Sequence, residues 1–480
     1  MNFAMVLFIL GWILLCEAAL LLLPLAVALA YAEKAAAAAL AGTALLCAVL
    51  GFALRLRKPK DRTLRIREGY VITALCWVVI SVLGALPFVL CGAIPNYIDA
   101  LFETVSGFTT TGASILPEVE SLPKGILFWR SFTHWIGGMG VLVFLLSLLP
   151  LAGGGNHVNL MKAESPGPQV EKLVPTVQST AKILYGIYIV MTVVQIVLLL
   201  LAGMPLFDSV TLSFGTAGTG GFGIKNDSIG SYTVLQQGII TVFMILFGVN
   251  FNAYFFILLR KFRKALFSEV RCYLLLIGAS TAMIAVNVAS RFENFFYALH
   301  HAAFQVGSIM TTTGYGTVDF DLWPTFSKTI LVLLMFVGAC AGSTGGGMKV
   351  SRFMILCKVI GREMRSFLHP QSVTAIRIDG KTVPQNVIRS TTVYFGVYAL
   401  MYAAITLAVS LDGFDPTTTF TAVAATFNNI GPGLALVGPT QNFGLFSPFA
   451  KLVLTFGMLA GRLEIFPMLL LFHKETWRKF

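Results

Sequence analysis

The chain has 480 residues, 56% of them hydrophobic and 12% charged, and a formal net charge of +12. Its apolar runs of about 20 residues match the hydrocarbon core of a bilayer, which excludes a soluble globular protein. The basic residues lie in short connections between those runs, so the charge reflects the positive-inside asymmetry of membrane proteins and not nucleic-acid binding.

From the N-terminus, two apolar runs bracket "ALAYA", which ends at Ala32. That string resembles a signal cleavage site, but "MNFAM" lacks a basic n-region and Ala35 to Leu54 follow at once, so residues 1–57 are expected to form a retained transmembrane hairpin. The cluster "RLRKPKDRTLRIREG" comes next, with Arg55, Arg57, Lys58, Lys60, Arg62, Arg65 and Arg67. Further clusters at Arg260 to Lys264, Lys349 to Arg377 and Lys474 to Lys479 are expected on the same, cytoplasmic side. Cys16, Cys47, Cys76, Cys91, Cys272, Cys340 and Cys357 show no CxxC and no zinc spacing with histidine, and read as small buried hydrophobes.

The rest of the chain repeats one pattern in four units, expected at 70–150, 174–265, 268–366 and 385–480: an apolar span, a segment rich in Gly, Thr and Ser, a second apolar span, then a basic connection. The interruptions align without gaps as "IDALFETVSGFTTTG", "FDSVTLSFGTAGTGG", "HHAAFQVGSIMTTTG" and "TTTFTAVAATFNNIG", ending at Gly112, Gly221, Gly314 and Gly431. Each suits a half-length helix that returns as extended backbone. Non-helical backbone at membrane depth is tolerated where it lines a path inside the protein, so four such loops around one axis predict a pore.

Carbonyls pointing at an axis can replace the hydration shell of a cation, and such a strand needs glycine. "TTGYG" at Thr312 to Gly316 approaches the potassium-channel string TVGYG, whereas "TTGAS", "TGGFG" and "NIGPG" are looser. Candidate ion-binding residues are therefore Thr110, Thr111 and Gly112; Thr219, Gly220 and Gly221; Thr312, Thr313 and Gly314; and Asn429, Ile430 and Gly431. A plain Gly-rich turn accounts for any single loop, but less well for four aligned copies.

The returning span of the third unit carries Gly338, Gly342, Ser343, Thr344, Gly345, Gly346 and Gly347, and each interior glycine costs roughly 1 kcal/mol of helix stability. Met348 follows Gly347 where a phosphate-binding loop needs Gly-Lys-Ser/Thr. A broken helix below the filter would form a gate, the alternative being a kink for close packing. In "GRLEIFP", Arg462 and Glu464 lie in the last apolar span, two residues apart and so facing different ways. Arg462 is expected to project toward the axis, with a structural salt bridge as the rival. Lys328 and Lys451 read as interfacial anchors, and Asp99, Glu103, Asp208, Glu293 and Asp415 as helix-capping residues and a negative outer vestibule.

On the strings "SGFTTTGAS", "GTGGF", "TTTGYG", "NNIGPG", "GSTGGG" and "GRLEIFP", the chain resembles the superfamily of Trk, Ktr and HKT potassium transporters, nearest its TrkH/TrkG branch. The resemblance covers essentially the whole chain. It implies an all-α polytopic membrane protein in which the N-terminal hairpin precedes four helix, pore half-helix and helix repeats with pseudo-fourfold symmetry. It also implies potassium uptake across the bacterial inner membrane, with rubidium as permeant analogue, and a filter at the four aligned glycines. By the same resemblance the stretch from Gly338 to Gly347 corresponds to an intramembrane gating loop and Arg462 to the arginine beneath the filter. Subunits of this kind form homodimers and pair with a cytosolic TrkA-type ring that binds a nucleotide (ATP, ADP or NAD). This chain lacks a Rossmann-type GxGxxG on soluble sequence, so no cofactor is expected on it beyond the permeant potassium. Pro432 and the "GTGGFG" of the second loop depart from the pattern and make the filter less symmetric.

Two other classes remain to be weighed. A carrier coupled to sodium or protons would place ionisable residues at a midplane site in inverted repeats, whereas these repeats run parallel. A membrane enzyme would need a paired base and nucleophile or a metal cluster, and His134, His300 and His301 offer no such set in the sequence.

Overall fold

The computed structural model describes residues 1–56, 59, 65–140, 177–371 and 374–478. Arg57, Lys58, Lys60 and Arg62 of the first basic cluster, Lys479 of the last, and the junction between the first two repeats (141–176) lie outside the described residues. Among the described residues, six helices are long and apolar enough to cross a membrane: Phe3–Ala30, Lys34–Arg55, Ile66–Leu90, Thr180–Leu201, Ser268–Arg291 and Gln385–Asp412.

The first two of these form the N-terminal hairpin. Gly11 and Gly51 face one another, so that a side chain on either would meet the other's carbonyl oxygen at 2.8 Å. Small residues permit this approach. Glu33, at the turn, accepts the backbone N–H groups of Lys124 (2.5 Å) and Gly125 (2.9 Å), satisfying two orphan donors at the start of a helix in the first repeat.

Four repeats follow with pseudo-fourfold symmetry. In each, a spanning helix leads to a pore helix: Tyr97–Phe108, Leu206–Gly218, Phe295–Met310 and Pro416–Phe427. At 12 to 16 residues these helices reach roughly 18 to 24 Å, short of the bilayer core. Asn96, Asn294 and Asp415 cap three of them through side-chain oxygens. Each pore helix ends in a loop that climbs back to a second helix, starting at Lys124, Val234, Thr325 and Pro448.

Three of the returning helices are broken, where only the third was expected to be. In the second repeat, Val234–Phe247 and Phe251–Leu258 are bent by 92°. The glycine-rich segment of the third repeat docks there: Cys340 N–H donates to the Gly248 carbonyl (3.1 Å), and Phe251 N–H donates to the Gly342 carbonyl (3.0 Å). Backbone groups released by the bend are paired across repeats. In the fourth repeat the break falls at Glu464 and Ile465, both with positive φ. Among the described residues, the one departure from an all-helical fold is a small hairpin, Arg377–Ile378 with Lys381–Thr382. Of the cysteines, Cys47, Cys76 and Cys340 are buried, but Cys357 is exposed, contrary to the expectation of uniform burial.

Candidate functional site

The four pore helices end in the same way. Thr110, Thr219, Thr312 and Asn429 adopt left-handed backbone, with φ of 54°, 54°, 59° and 56°. Each donates its N–H three residues back, at 3.0 to 3.1 Å, to Gly107, Thr216, Ile309 and Thr426. The next residue donates five residues back at 2.8 Å in every case: Thr111 to Ser106, Gly220 to Gly215, Thr313 to Ser308 and Ile430 to Ala425. This is the Schellman cap, which favours glycine at its left-handed position. Here three of the four positions are β-branched threonine, at about 1–3 kcal/mol each, strain that clusters where a site requires it.

The aligned glycines follow, with φ of 79°, 79°, 86° and 103° for Gly112, Gly221, Gly314 and Gly431. A methyl on Gly112 would run into the carbonyl oxygen of Gly220, on Gly221 into Thr313, on Gly314 into Ile430, and on Gly431 into Thr111. The chain of contacts closes on itself, so the four loops form a ring. Among the described residues, the carbonyls of Thr111, Gly220, Thr313 and Ile430 accept no hydrogen bond. A ring of unpaired carbonyls buried in a protein is costly unless a cation sits among them. Beyond the ring, a cup lined by the four glycines opens on the side where the pore helices begin.

Side chains brace the ring from behind. The Thr109 and Thr111 hydroxyls pair at 2.8 Å, and those of Thr311 and Thr313 at 2.7 Å. The Asn429 amide donates to the Thr111 hydroxyl (2.9 Å) and to the Met458 carbonyl (3.0 Å), joining the fourth loop to the first.

The glycine-rich strap, 338–349, lies under the other end of the ring. Gly346 N–H donates to the Thr312 hydroxyl at 2.6 Å. Methyl groups on Gly345 and Gly346 would approach the carbonyl oxygens of Thr311 (2.9 Å) and Asn428 (2.7 Å). Gly338, Gly342 and Gly347 have φ near 70°, a backbone that side chains resist. The Ser343 hydroxyl closes a turn on the Cys340 carbonyl (2.6 Å), and the Thr344 hydroxyl donates to Phe247 (3.2 Å).

Arg462 joins the strap to the first repeat. Its guanidinium donates to the Thr344 carbonyl (2.8 Å) and to the Gly137 (2.5 Å) and Gly138 (2.8 Å) carbonyls, at the C-terminus of a first-repeat helix, where positive charge is favoured. Glu464 faces away and forms a buried ion pair with Arg352, just beyond the strap. The two charges of "GRLE" therefore serve different partners, because the helix ends at Arg462 and the chain turns at Glu464.

Several residues sit elsewhere than expected. Lys349 and Arg352 belong to a sequence cluster assigned to the cytoplasmic surface, but the Lys349 ammonium turns back onto the Gly345 and Gly346 carbonyls and Arg352 is 5% exposed. Lys451 is no interfacial anchor: it is buried against Asp99 at 2.6 Å. Lys328 bonds the Asp321 carbonyl (2.9 Å). None of the acids expected at an outer vestibule lines the described cup, whose charged lining residues are Arg130 and Lys225. Glu103 is buried behind the first loop, accepting from Ser114 (2.9 Å), Ile115 (2.9 Å) and Arg130 (2.6 Å). Asp208 accepts from the Tyr232 hydroxyl (2.8 Å), Asp415 caps a pore helix and Glu293 is exposed.

Sequence reasoning missed Glu269, whose carboxylate accepts from Ala341 N–H (2.7 Å) in the strap and Ser351 N–H (3.1 Å) beyond it. The signal available was an acid in the first turn of a spanning helix, indistinguishable from a dipole-matching residue. His134 also gains partners, the Gly107 carbonyl and Phe222 N–H. His300 pairs with Gln237 (2.8 Å) and His301 with Thr317 (2.9 Å), and no group of three His, Cys, Asp or Glu that could hold a metal ion occurs among the described residues.

A family model for a cation transport protein, TrkH, matches residues 36–479. The Trk system potassium uptake protein TrkH of Salmonella typhimurium is 36% identical over 489 residues, covering 100% of both chains. The Escherichia coli protein named TrkG is 35% identical over 95% of this chain and 94% of its own. The crystal structure of the potassium transporter TrkH from Vibrio parahaemolyticus superposes with a TM-score of 0.89 at 34% identity, covering 100% of both. The chain belongs to the TrkH family of cation transport proteins, a family of transporters and not of enzymes.

Proposed function

We propose that this chain is a potassium uptake protein in which the four loops form the selectivity filter. The observation that carries the reading is the closed ring of Thr111, Gly220, Thr313 and Ile430 carbonyls, each lying where the preceding loop's glycine leaves room. A hydrated potassium ion exchanges its water shell for these oxygens and those of the residues on either side. The names of the relatives, Trk system potassium uptake proteins, support the same cation. The permeating ion is cargo, so no resident metal is required.

Below the filter, the strap from Gly338 to Gly347 and Arg462 form the gate. Support comes from their position across the inner end of the ring and from the hydrogen bonds that hold them there. Opening requires the strap to leave Thr312 and Arg462, which a cytosolic TrkA-type ring carrying a bound nucleotide would drive. The pore unit is assigned to repeats 70–150, 174–265, 268–366 and 385–480 after the hairpin 1–57. It works as a homodimer in the bacterial inner membrane, basic connections facing the cytoplasm.

The test is potassium flux into liposomes holding the purified protein, with and without an imposed sodium or proton gradient. Passive flux down the potassium gradient alone supports a filtered pore. Flux that requires the second gradient overturns the pore in favour of a coupled carrier.

A further inference from the structure

The second loop has no side chain at the two positions from which loops one and three brace themselves. Loops one and three carry threonines one and three residues before the aligned glycine, and their hydroxyls pair. At the matching positions the second loop has Gly220 and Gly218. Its own Thr219 hydroxyl turns back to the Gly218 carbonyl (2.6 Å), and neither glycine offers a side chain behind the Gly220 carbonyl.

That space is filled from another repeat. The three atoms nearest to where a Gly220 side chain would begin all belong to the imidazole of His134, on the returning helix of the first repeat. The ring is fully buried and wedged on both nitrogens: Nδ1 donates to the Gly107 carbonyl (2.7 Å), so Nε2 is the acceptor for Phe222 N–H (3.2 Å). It also packs on the Phe222 ring, with centroids 4.2 Å apart. One helical turn earlier, Arg130 donates to the Gly223 carbonyl (2.8 Å) while paired with Glu103, which holds the first loop. One helix face thus fixes the second loop against the first.

We propose that His134 is the positioning residue for the second quarter of the filter, its imidazole replacing the side chain that Gly220 lacks, and that potassium-over-sodium discrimination depends on it. The inference rests on the filter reading above. Because Gly220 does not have positive φ, its backbone admits an ordinary side chain once the imidazole is gone.

The test is a two-by-two set of His134→Ala and Gly220→Thr, read as the ratio of potassium to sodium flux in liposomes, with Gly314→Ser alongside. His134→Ala leaves a void behind the carbonyls and Gly220→Thr overlaps the imidazole, so each alone is expected to lower the ratio roughly tenfold. The double variant is expected to regain most of it, a recovery that mere loss of fold could not produce. For any variant too inactive to give a ratio, the difference in thermal stabilisation by potassium and by sodium in detergent reads the same comparison. His134→Ala with the parent's ratio, or a double variant no better than the worse single one, overturns the inference while a lowered ratio in Gly314→Ser leaves the filter standing. No effect of Gly314→Ser overturns both.

Discussion

The backbone N–H of Gly346 donates to the hydroxyl of Thr312 at 2.6 Å, so the strap is bonded directly to the third of the four ring-forming loops. Both groups are buried, and Thr312 is one of the strained left-handed positions. Movement of the strap and the shape of the filter are therefore linked through one hydrogen bond.

Thr312→Val removes the acceptor at nearly constant volume and leaves a buried N–H unpaired, a loss of about 1–3 kcal/mol. The closed strap is expected to be destabilised, raising basal rubidium efflux from liposomes, whereas Thr312→Ser keeps the hydroxyl and the parent's flux. Equal flux from the two variants would break the proposed link.

Arg462→Ala removes the bonds to Thr344, Gly137 and Gly138 together, and deleting Gly345 to Gly347 removes the obstruction itself. Both should raise basal permeation in the absence of any partner. Lysine presents a single ammonium instead of a fork, so Arg462→Lys should fall between parent and alanine. Parent-like conduction in both the alanine variant and the deletion would remove the gate from this place.

The Arg352 and Glu464 ion pair flanks the strap, and Arg352 also lies over the Tyr394 ring at 4.2 Å. Glu464→Gln leaves a buried guanidinium without its counter-charge and should cost about 3–5 kcal/mol. Arg352→Met combined with Glu464→Gln should cost less than the sum of the two single changes. Additive losses in thermal unfolding would show that the pair is not coupled.

Glu33 caps the Lys124 helix from the N-terminal hairpin. Glu33→Ala should lower stability by about 1 kcal/mol while leaving the potassium-to-sodium ratio at the parent's value. A changed ratio would couple the hairpin to the proposed filter through the helix that carries His134.

Much of this arrangement is legible in the sequence because each repeat folds by local rules. A polar opening, ten or so mixed residues and a closing glycine specify a capped half-helix, and the gapless alignment of Gly112, Gly221, Gly314 and Gly431 carries the fourfold order. Arg462 and Glu464 do take different partners, but through the break at Glu464 and Ile465 and not through helix spacing. Contacts made between repeats are not legible. Lys349 and Arg352 sit in a basic run that looks solvated, and only the docked strap and Glu464 turn them inward. Asp99 and Glu103 look like dipole-matching acids at a pore-helix start, yet Lys451 and Arg130 arrive from distant segments to bury them. The bend between Phe247 and Phe251 exists because the third repeat's strap supplies hydrogen bonds there, and nothing within "FGVNF" records that partner.

The most direct test of the potassium filter is the flux of potassium and of sodium through the purified protein in liposomes, parent against Gly314→Ser. The Gly314 position abuts the Ile430 carbonyl, so the serine must displace an oxygen of the proposed filter. Potassium flux should exceed sodium flux in the parent, with the gap narrowed by the serine. Equal fluxes of the two ions in the parent would contradict the account.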